Sequence, residues 1–262
     1  MKQLLKTSLI RGFALFGVQA EFHKKRRNTD VAFFDKHTLE YFLQDHERMV
    51  LHREGLTRSN TEWVDNFHLQ CRMYSLQQLV EHAAQKNPDG EFVECGCWKG
   101  HSAYIISSLL TKHRFARSFH IFDSFEGGLS DKTSEDISTY AQQTMEEREA
   151  EKNWFASTVE ELNHALKGFP FVKIYKGWIP DRFPEVKERR FAFVHIDVDL
   201  YQPIMDSLKF FFPRLLPGGI IVVDDYGYSI FPGAKKAVDE FRSGIECSMF
   251  YETPMGSCFI VR

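Results

Sequence analysis

Four carboxylates in the second half of the chain have the spacing of a cation site. In "FAFVHIDVDLYQP", Phe191 to Pro203, an apolar run ends in Asp197 and Asp199. These two share one face of the expected strand, because strand side chains repeat every two residues. In "IIVVDDYG" a second apolar run ends in Asp224 and Asp225. Neighbouring strands lie about 5 Å apart, so acids at two adjacent tips can converge on one centre. Carboxylates held that close repel unless they are protonated or bound to a cation. Oxygen donors without an accompanying His or Cys set favour Mg²⁺, with Mn²⁺ or Ca²⁺ as alternatives, over zinc. His195, on the same face as Asp197, reads as a buried, hydrogen-bonded core histidine.

A second group of residues suits a nucleoside ligand. The segment "EFVECGCWKGHS" runs from a short apolar strand through Gly96 and Gly100 into a helix. It is neither GxGxxG nor GxxxxGK[ST], so neither the dinucleotide fingerprint nor the P-loop is present. What remains is a glycine turn that lets backbone approach a ligand closely. Glu94 leads into it and can face a positive centre, while the helix start and Ser102 can take an anion. The next strand, "SFHIFDSF", ends in Asp123, placed as the acceptor for ribose hydroxyls. A nucleoside with a cationic centre, a carboxylate and no pyrophosphate describes S-adenosylmethionine. The alternative is that Glu94 caps a turn and Asp123 a loop.

The elements that must position these groups follow from periodicity. Short apolar strands are expected in "EFVECG", "SFHIFDSF", "FVKIYKGW", "RFAFVHIDVD" and "GGIIVVDDY". Helices are expected between or after them in "SLQQLVEHAAQ", "GHSAYIISSLLTKH", 139–151, 159–166, "PIMDSLKFFFPRLL" and "GAKKAVDEFRS". "ECSMFYET" and "SCFIVR" read as a closing antiparallel pair. Alternation of this kind specifies an α/β fold whose mostly parallel sheet carries helices on both faces. Ligands then lie outside the carboxyl ends of the strands, where each acid and glycine named above falls.

The 262 residues suffice for one large domain or a domain with an appendage. The 25 phenylalanines favour aromatic packing in the core. A formal net charge of −3 argues against a nucleic-acid binder. Five cysteines without CxxC or metal-ligand spacing point to a reducing compartment.

The motifs "ECGCWKGHS", "IFDSFEGG", "KGW", "HIDVDLY" and "GGIIVVDDY…GAKKAVDEF" resemble the macrocin O-methyltransferase family in order and spacing, from about Tyr74 to Arg242. The resemblance implies a Rossmann-like class I methyltransferase fold and an enzyme dependent on S-adenosylmethionine and Mg²⁺ (or Mn²⁺). The implied acceptor is a sugar hydroxyl in a glycan or glycosylated natural product, presented with a vicinal hydroxyl. It implies that Glu94, Gly96 and Ser102 hold the methionine end of the cofactor, that Trp98 and Gly100 shape the loop, that Asp123 with Ser124 binds the ribose, and that Gly177 and Trp178 flank the adenine. It assigns Asp197, Asp224 and Asp225 as metal ligands and Asp199 as the general base. The family often has D-G-D where this chain has Asp197-Val198-Asp199; valine permits fewer backbone angles than glycine, which would tilt Asp199. The glycine loop is also similar to that of catechol O-methyltransferases, so a catechol or polyphenol acceptor is the alternative within the class. A Mg²⁺-dependent phosphotransferase or hydrolase would need phosphate-binding lysines near the acids, and 197–203 and 224–233 contain none.

Residues 1–73 are expected to form a helical N-terminal extension serving substrate or subunit contacts, and 74–262 the methyltransferase domain. The acidic stretch 128–155 is expected to be a helical lid, or else a solvated charged face. The N-terminus carries Lys2, Lys6, Arg11 and the run from Lys24 to Arg27 among apolar residues. Arg11 and Gly12 interrupt the apolar run, so it reads as a retained amphipathic segment rather than a signal peptide. A cytoplasmic protein is expected, with either a peripheral contact to an anionic membrane surface or packing of this segment on its own or a partner subunit. A homo-oligomer is expected.

Overall fold

The computed structural model describes residues 18–21, 32–35, 45–61, 64–139 and 143–262. The chain divides into two compact units, Met1–Val50 and Leu51–Arg262. In the first, strands β1 (Val18–Glu21) and β2 (Ala32–Asp35) pair antiparallel, with Val18 opposite Asp35. This departs from the helix expected there. "VQAE" and "AFFD" are short and carry the β-branched and aromatic residues that favour strands. The basic residues singled out near the N-terminus lie outside the described residues.

The second unit is built on a seven-stranded sheet. Helix α1 (His46–Ser59) precedes α2 (Phe67–Lys86), after which come β3 (Glu91–Cys95), α3 (His101–Lys112) and β4 (Phe119–Asp123). The chain continues through α4 (Met145–Trp154), α5 (Val159–Ala165), β5 (Val172–Lys176), β6 (Phe191–Ile196) and α6 (Tyr201–Phe211). It closes with β7 (Leu215–Val223), α7 (Pro232–Ser243), β8 (Met249–Glu252) and β9 (Cys258–Val261). The spatial order is β5-β4-β3-β6-β7-β9-β8. The first five are parallel to their neighbours, while β9 runs antiparallel to both β7 and β8.

The central strands β3 and β6 are buried on both faces and are mostly apolar, with Glu91, Glu94 and His195 as buried polar exceptions. Alternate residues feed two cores, except that an irregularity in register between Phe191 and Phe193 sends these two to opposite sides. Phe92, Phe119, Ile121 and Phe193 pack with α2, α3 and α5 on one side. Val93, Phe122, Phe191 and Val194 pack with α6 and α7 on the other. The second core is an aromatic stack in which Phe122 meets Tyr175 at 4.6 Å and Phe211 meets Phe183 at 4.8 Å between ring centroids.

Two expected helices shift. The helix expected from Ser75 begins at Phe67, because Asn66 caps it through Leu69 N–H and the apolar stripe extends back through Leu69 and Met73. The helix expected from Thr139 begins at Met145, where Thr144 and Glu147 form a capping box. Among the described residues no helix is long and apolar enough to cross a membrane.

Candidate active site

The chain runs outward from β3 through β4 to β5, then returns to place β6 on the other flank of β3. The gap beyond the tips of β3 and β6 is therefore a topological switch point, where open α/β sheets bind ligands. The two tips touch. Gly96 has φ +77°, and a Cβ there would lie 1.9 Å from the carbonyl oxygen of Asp197. Only glycine permits both the backbone angle and the approach.

The turn after β3 is tied to the tip of β4 by one carboxylate. Asp123 accepts from Cys97 N at 2.9 Å and Trp98 N at 3.1 Å through Oδ2, and from Phe125 N at 3.1 Å through Oδ1. Burial raises its pKa, and these three amides pull it back. Trp98, Phe125 and Asp199 all hold positive φ, at +45°, +48° and +59°. Such angles cost about 1–3 kcal/mol each in a non-glycine residue and concentrate at functional sites. The sequence reading places the backbone constraint at Val198; the left-handed residue is Asp199 itself, at the centre of a γ-turn closed by Leu200 N donating to Val198 O at 2.5 Å.

Two open cavities share a wall made of Gly96, Trp98, Phe155, Asp197 and Asp199. The first adds Phe122, Asp123, Ser124, Trp178, Ile179 and Gln202. The second adds His68, Arg72, Ser102, Trp154, Asp225 and Tyr228. Of the residues expected to hold the cofactor, Gly96, Trp98, Asp123, Ser124 and Trp178 line the first cavity, and Ser102 the second. Glu94, Gly100 and Gly177 line neither. Gly100 caps α3 at φ +92°, and Gly177 donates its N–H to Asp123 O at 3.0 Å. Glu94 is fully buried one layer down, where its Oε1 lies 2.8 Å from Nδ1 of the buried His195. Burial raises the Glu94 pKa, against the pull of His195 and Ser102.

His195 is therefore hydrogen-bonded in the core, and its other nitrogen, Nε2, lies 4.0 Å from Asp224 Oδ1. One ligand atom each from His195, Asp197 and Asp224 falls within 4.8 Å of the others. Asp225 is buried beside Asp197 and Asp199, and its Oδ2 has no hydrogen-bond partner among the described residues. Burial, then Asp199 and Asp197, push the Asp225 pKa well up, against Arg72. Burial and Asp197 push Asp199 up to about 8, again against Arg72.

Arg72, on α2, was not foreseen from the sequence. Its Nε donates to Asp224 Oδ1 at 3.3 Å, its Nη2 pairs with Asp224 Oδ2, and its Nη1 donates to Tyr228 Oη at 3.1 Å. His68, one turn earlier, reaches the same hydroxyl at 3.1 Å. Across the second cavity, the end of α4 covers the glycine turn, with the Trp98 ring centroid 6.3 Å from Trp154 and 6.1 Å from Phe155. Gly128 lets the chain after β4 pass under this helix, since a Cβ there would meet Lys152 O at 1.8 Å.

A mostly parallel seven-stranded sheet with helices around it, closed by an antiparallel hairpin, is the architecture of methyltransferases. The solved structure of the O-methyltransferase NovP shares it, with a TM-score of 0.63 and 24% identity over 87% of this chain and 98% of that one. The sequence matches the macrocin-O-methyltransferase (TylF) family over residues 3–250, and the chain belongs to that family. It is an S-adenosylmethionine-dependent O-methyltransferase. Demethyldecarbamoylnovobiocin O-methyltransferase of Streptomyces niveus is 27% identical over 200 residues, spanning 73% of this chain and 74% of that protein. The 8-demethyl-8-(2,3-dimethoxy-alpha-L-rhamnosyl)-tetracenomycin-C 4'-O-methyltransferase of Streptomyces olivaceus is 28% identical over 176 residues, 65% of each chain.

Proposed function

We propose that this chain methylates a sugar hydroxyl of a glycosylated natural product and requires a divalent cation, Mg²⁺ or Mn²⁺, held by Asp197, Asp224 and Asp225. The observation that carries the reading is the shared wall: the glycine turn of the cofactor side and the β6 acids Asp197 and Asp199 face one another at the sheet's switch point, with Asp225 from the β7 tip on the second cavity. The donor set fits a hard cation, since Asp197, Asp224 and Asp225 offer carboxylate oxygens and the buried Oδ2 of Asp225 has no hydrogen-bond partner among the described residues; His195 Nε2 stands beside Asp197 and Asp224 in the same cluster. The relatives named above support the sugar, because one of them is named for a substrate bearing a dimethoxyrhamnosyl group.

When bound, S-adenosylmethionine supplies an electrophilic methyl group and the cation supplies charge that favours a deprotonated acceptor oxygen. The remaining work falls to the chain. Gly96, Trp98, Ser102, Asp123, Ser124 and Trp178 bind and orient the cofactor, with Glu94 and Gly100 fixing the turn from beneath and Gly177 tying the end of β5 to Asp123 O. Asp199 accepts the proton of the acceptor hydroxyl as general base. Holding the reacting atoms in line lowers the barrier by about 7–11 kcal/mol in favourable cases. Trp98, Trp154 and Phe155 exclude water, so 128–155 acts as the lid. His68, Arg72 and Met73, from the segment around residue 73, wall the acceptor side.

Incubating the enzyme with S-adenosylmethionine, Mg²⁺ and a panel of desmethyl glycosides tests the reading. Mass spectrometry should show a gain of one methyl on the sugar fragment. Methyl gain confined to the aglycone or to simple catechols would refute the sugar assignment.

A further inference from the structure

The guanidinium of Arg72 uses both carboxylate oxygens of Asp224. Arg72 and Asp224 are both largely buried, with side-chain exposures of 14% and 4%, and an arginine does not shed its charge. A divalent ion at the acids needs lone pairs of Asp224, and a second cation packed against it in a buried site would be strongly repelled. The second cavity gives the arginine somewhere to go: His68 and Tyr228 line it alongside Arg72. Tyr228 already accepts from Nη1, and its ring lies 5.4 Å from the guanidinium carbon.

We propose that Arg72 is a built-in counter-cation that competes with the divalent ion for Asp224 and yields to it by turning toward Tyr228 and His68. It is a positioning residue: it keeps the acids together and sets how tightly the ion binds. The inference rests on the reading of Asp197, Asp224 and Asp225 as cation ligands, and adds that the site carries its own competitor. An ion bound there therefore holds less tightly than the carboxylates alone would allow. Arriving ions also move a donor-rich side chain into the acceptor cavity.

Free Mn²⁺, followed by its electron paramagnetic resonance signal during titration of the full chain, tests this. Arg72→Gln should bind Mn²⁺ at least tenfold more tightly than the wild type. Without Mn²⁺ the same variant should melt at a lower temperature, because Asp224 loses its partner, and Mn²⁺ should raise its Tm by more than it raises that of the wild type. Arg72→Lys, which keeps a charge but cannot hold both oxygens, should show a smaller gain in affinity, and it decides the matter if the glutamine variant does not fold. Equal or weaker Mn²⁺ binding by the variants, with a binding wild type, would overturn the competition and leave the cation reading intact. Absence of Mn²⁺ binding in all three proteins would overturn both.

Discussion

Asp199 sits at a backbone angle few aspartates adopt, inside a γ-turn, and buried next to Asp197. That geometry sends its carboxyl to the wall shared by the two cavities rather than into the sheet. Asp199→Asn keeps the shape and removes the proposed base. It should lower kcat by about 10²–10⁴-fold, while S-adenosylhomocysteine affinity by calorimetry changes less than about threefold; wild-type turnover would remove Asp199 from the role. His101, on α3, behaves differently. Burial, then His52, depresses its pKa to about 3, with Nε2 facing the carbonyl of His52 at 3.2 Å. Its folded-state pKa lies below the unfolded value near 6.5, so the unfolded chain binds the proton first. Stability should therefore fall as pH drops from about 6.5 toward 3, by about 1.4 kcal/mol per pH unit from this residue. Above that window His101 should contribute no pH dependence. Urea titrations of His101→Gln should show a slope shallower by one proton in that range. The acids were legible at this scale because D-x-D and D-D end apolar runs. Arg72 was not, since its partner Asp224 is 152 residues away and nothing in the spacing around position 72 marks a contact made only by tertiary packing.

At the scale of elements, the site depends on two strand tips that pack without a side chain between them. Gly96→Ala would drive a Cβ into the backbone of Asp197 while holding φ at +77°. The substitution should cost about 2 kcal/mol or more, lowering Tm by several degrees, and it should abolish S-adenosylhomocysteine binding by calorimetry. A variant with unchanged Tm and affinity would contradict the close approach. Strands β3, β4, β6 and β7 were readable because strands buried on both faces are mostly apolar, and the edge strand β5 because Val172, Ile174 and Tyr175 favour strands. Helix starts were read less well, although the signals were there. Asn66 precedes Phe67 as a cap, and "TMEE" spells the capping box that opens α4.

For the whole molecule, alternation of strands and helices specifies the class of fold but not the strand order. The return from β5 to β6, which creates the switch point, follows from how the connections cross the sheet. That order brings the Glu94–Ser102 turn and the Asp197–Asp199 tip, about a hundred residues apart in sequence, onto adjacent strands. It also sets β7, with Asp224 and Asp225, on the far side of β6. On the proposed reading the cofactor turn and the acids form one reaction centre, and chemistry at that centre should stop when the proposed cation is withdrawn. Turnover with methyl-labelled S-adenosylmethionine and a desmethyl glycoside, measured after exhaustive EDTA treatment, tests this most directly. Activity should disappear, return on adding Mg²⁺ or Mn²⁺, and leave S-adenosylhomocysteine binding in place throughout; full turnover in excess EDTA would contradict the account.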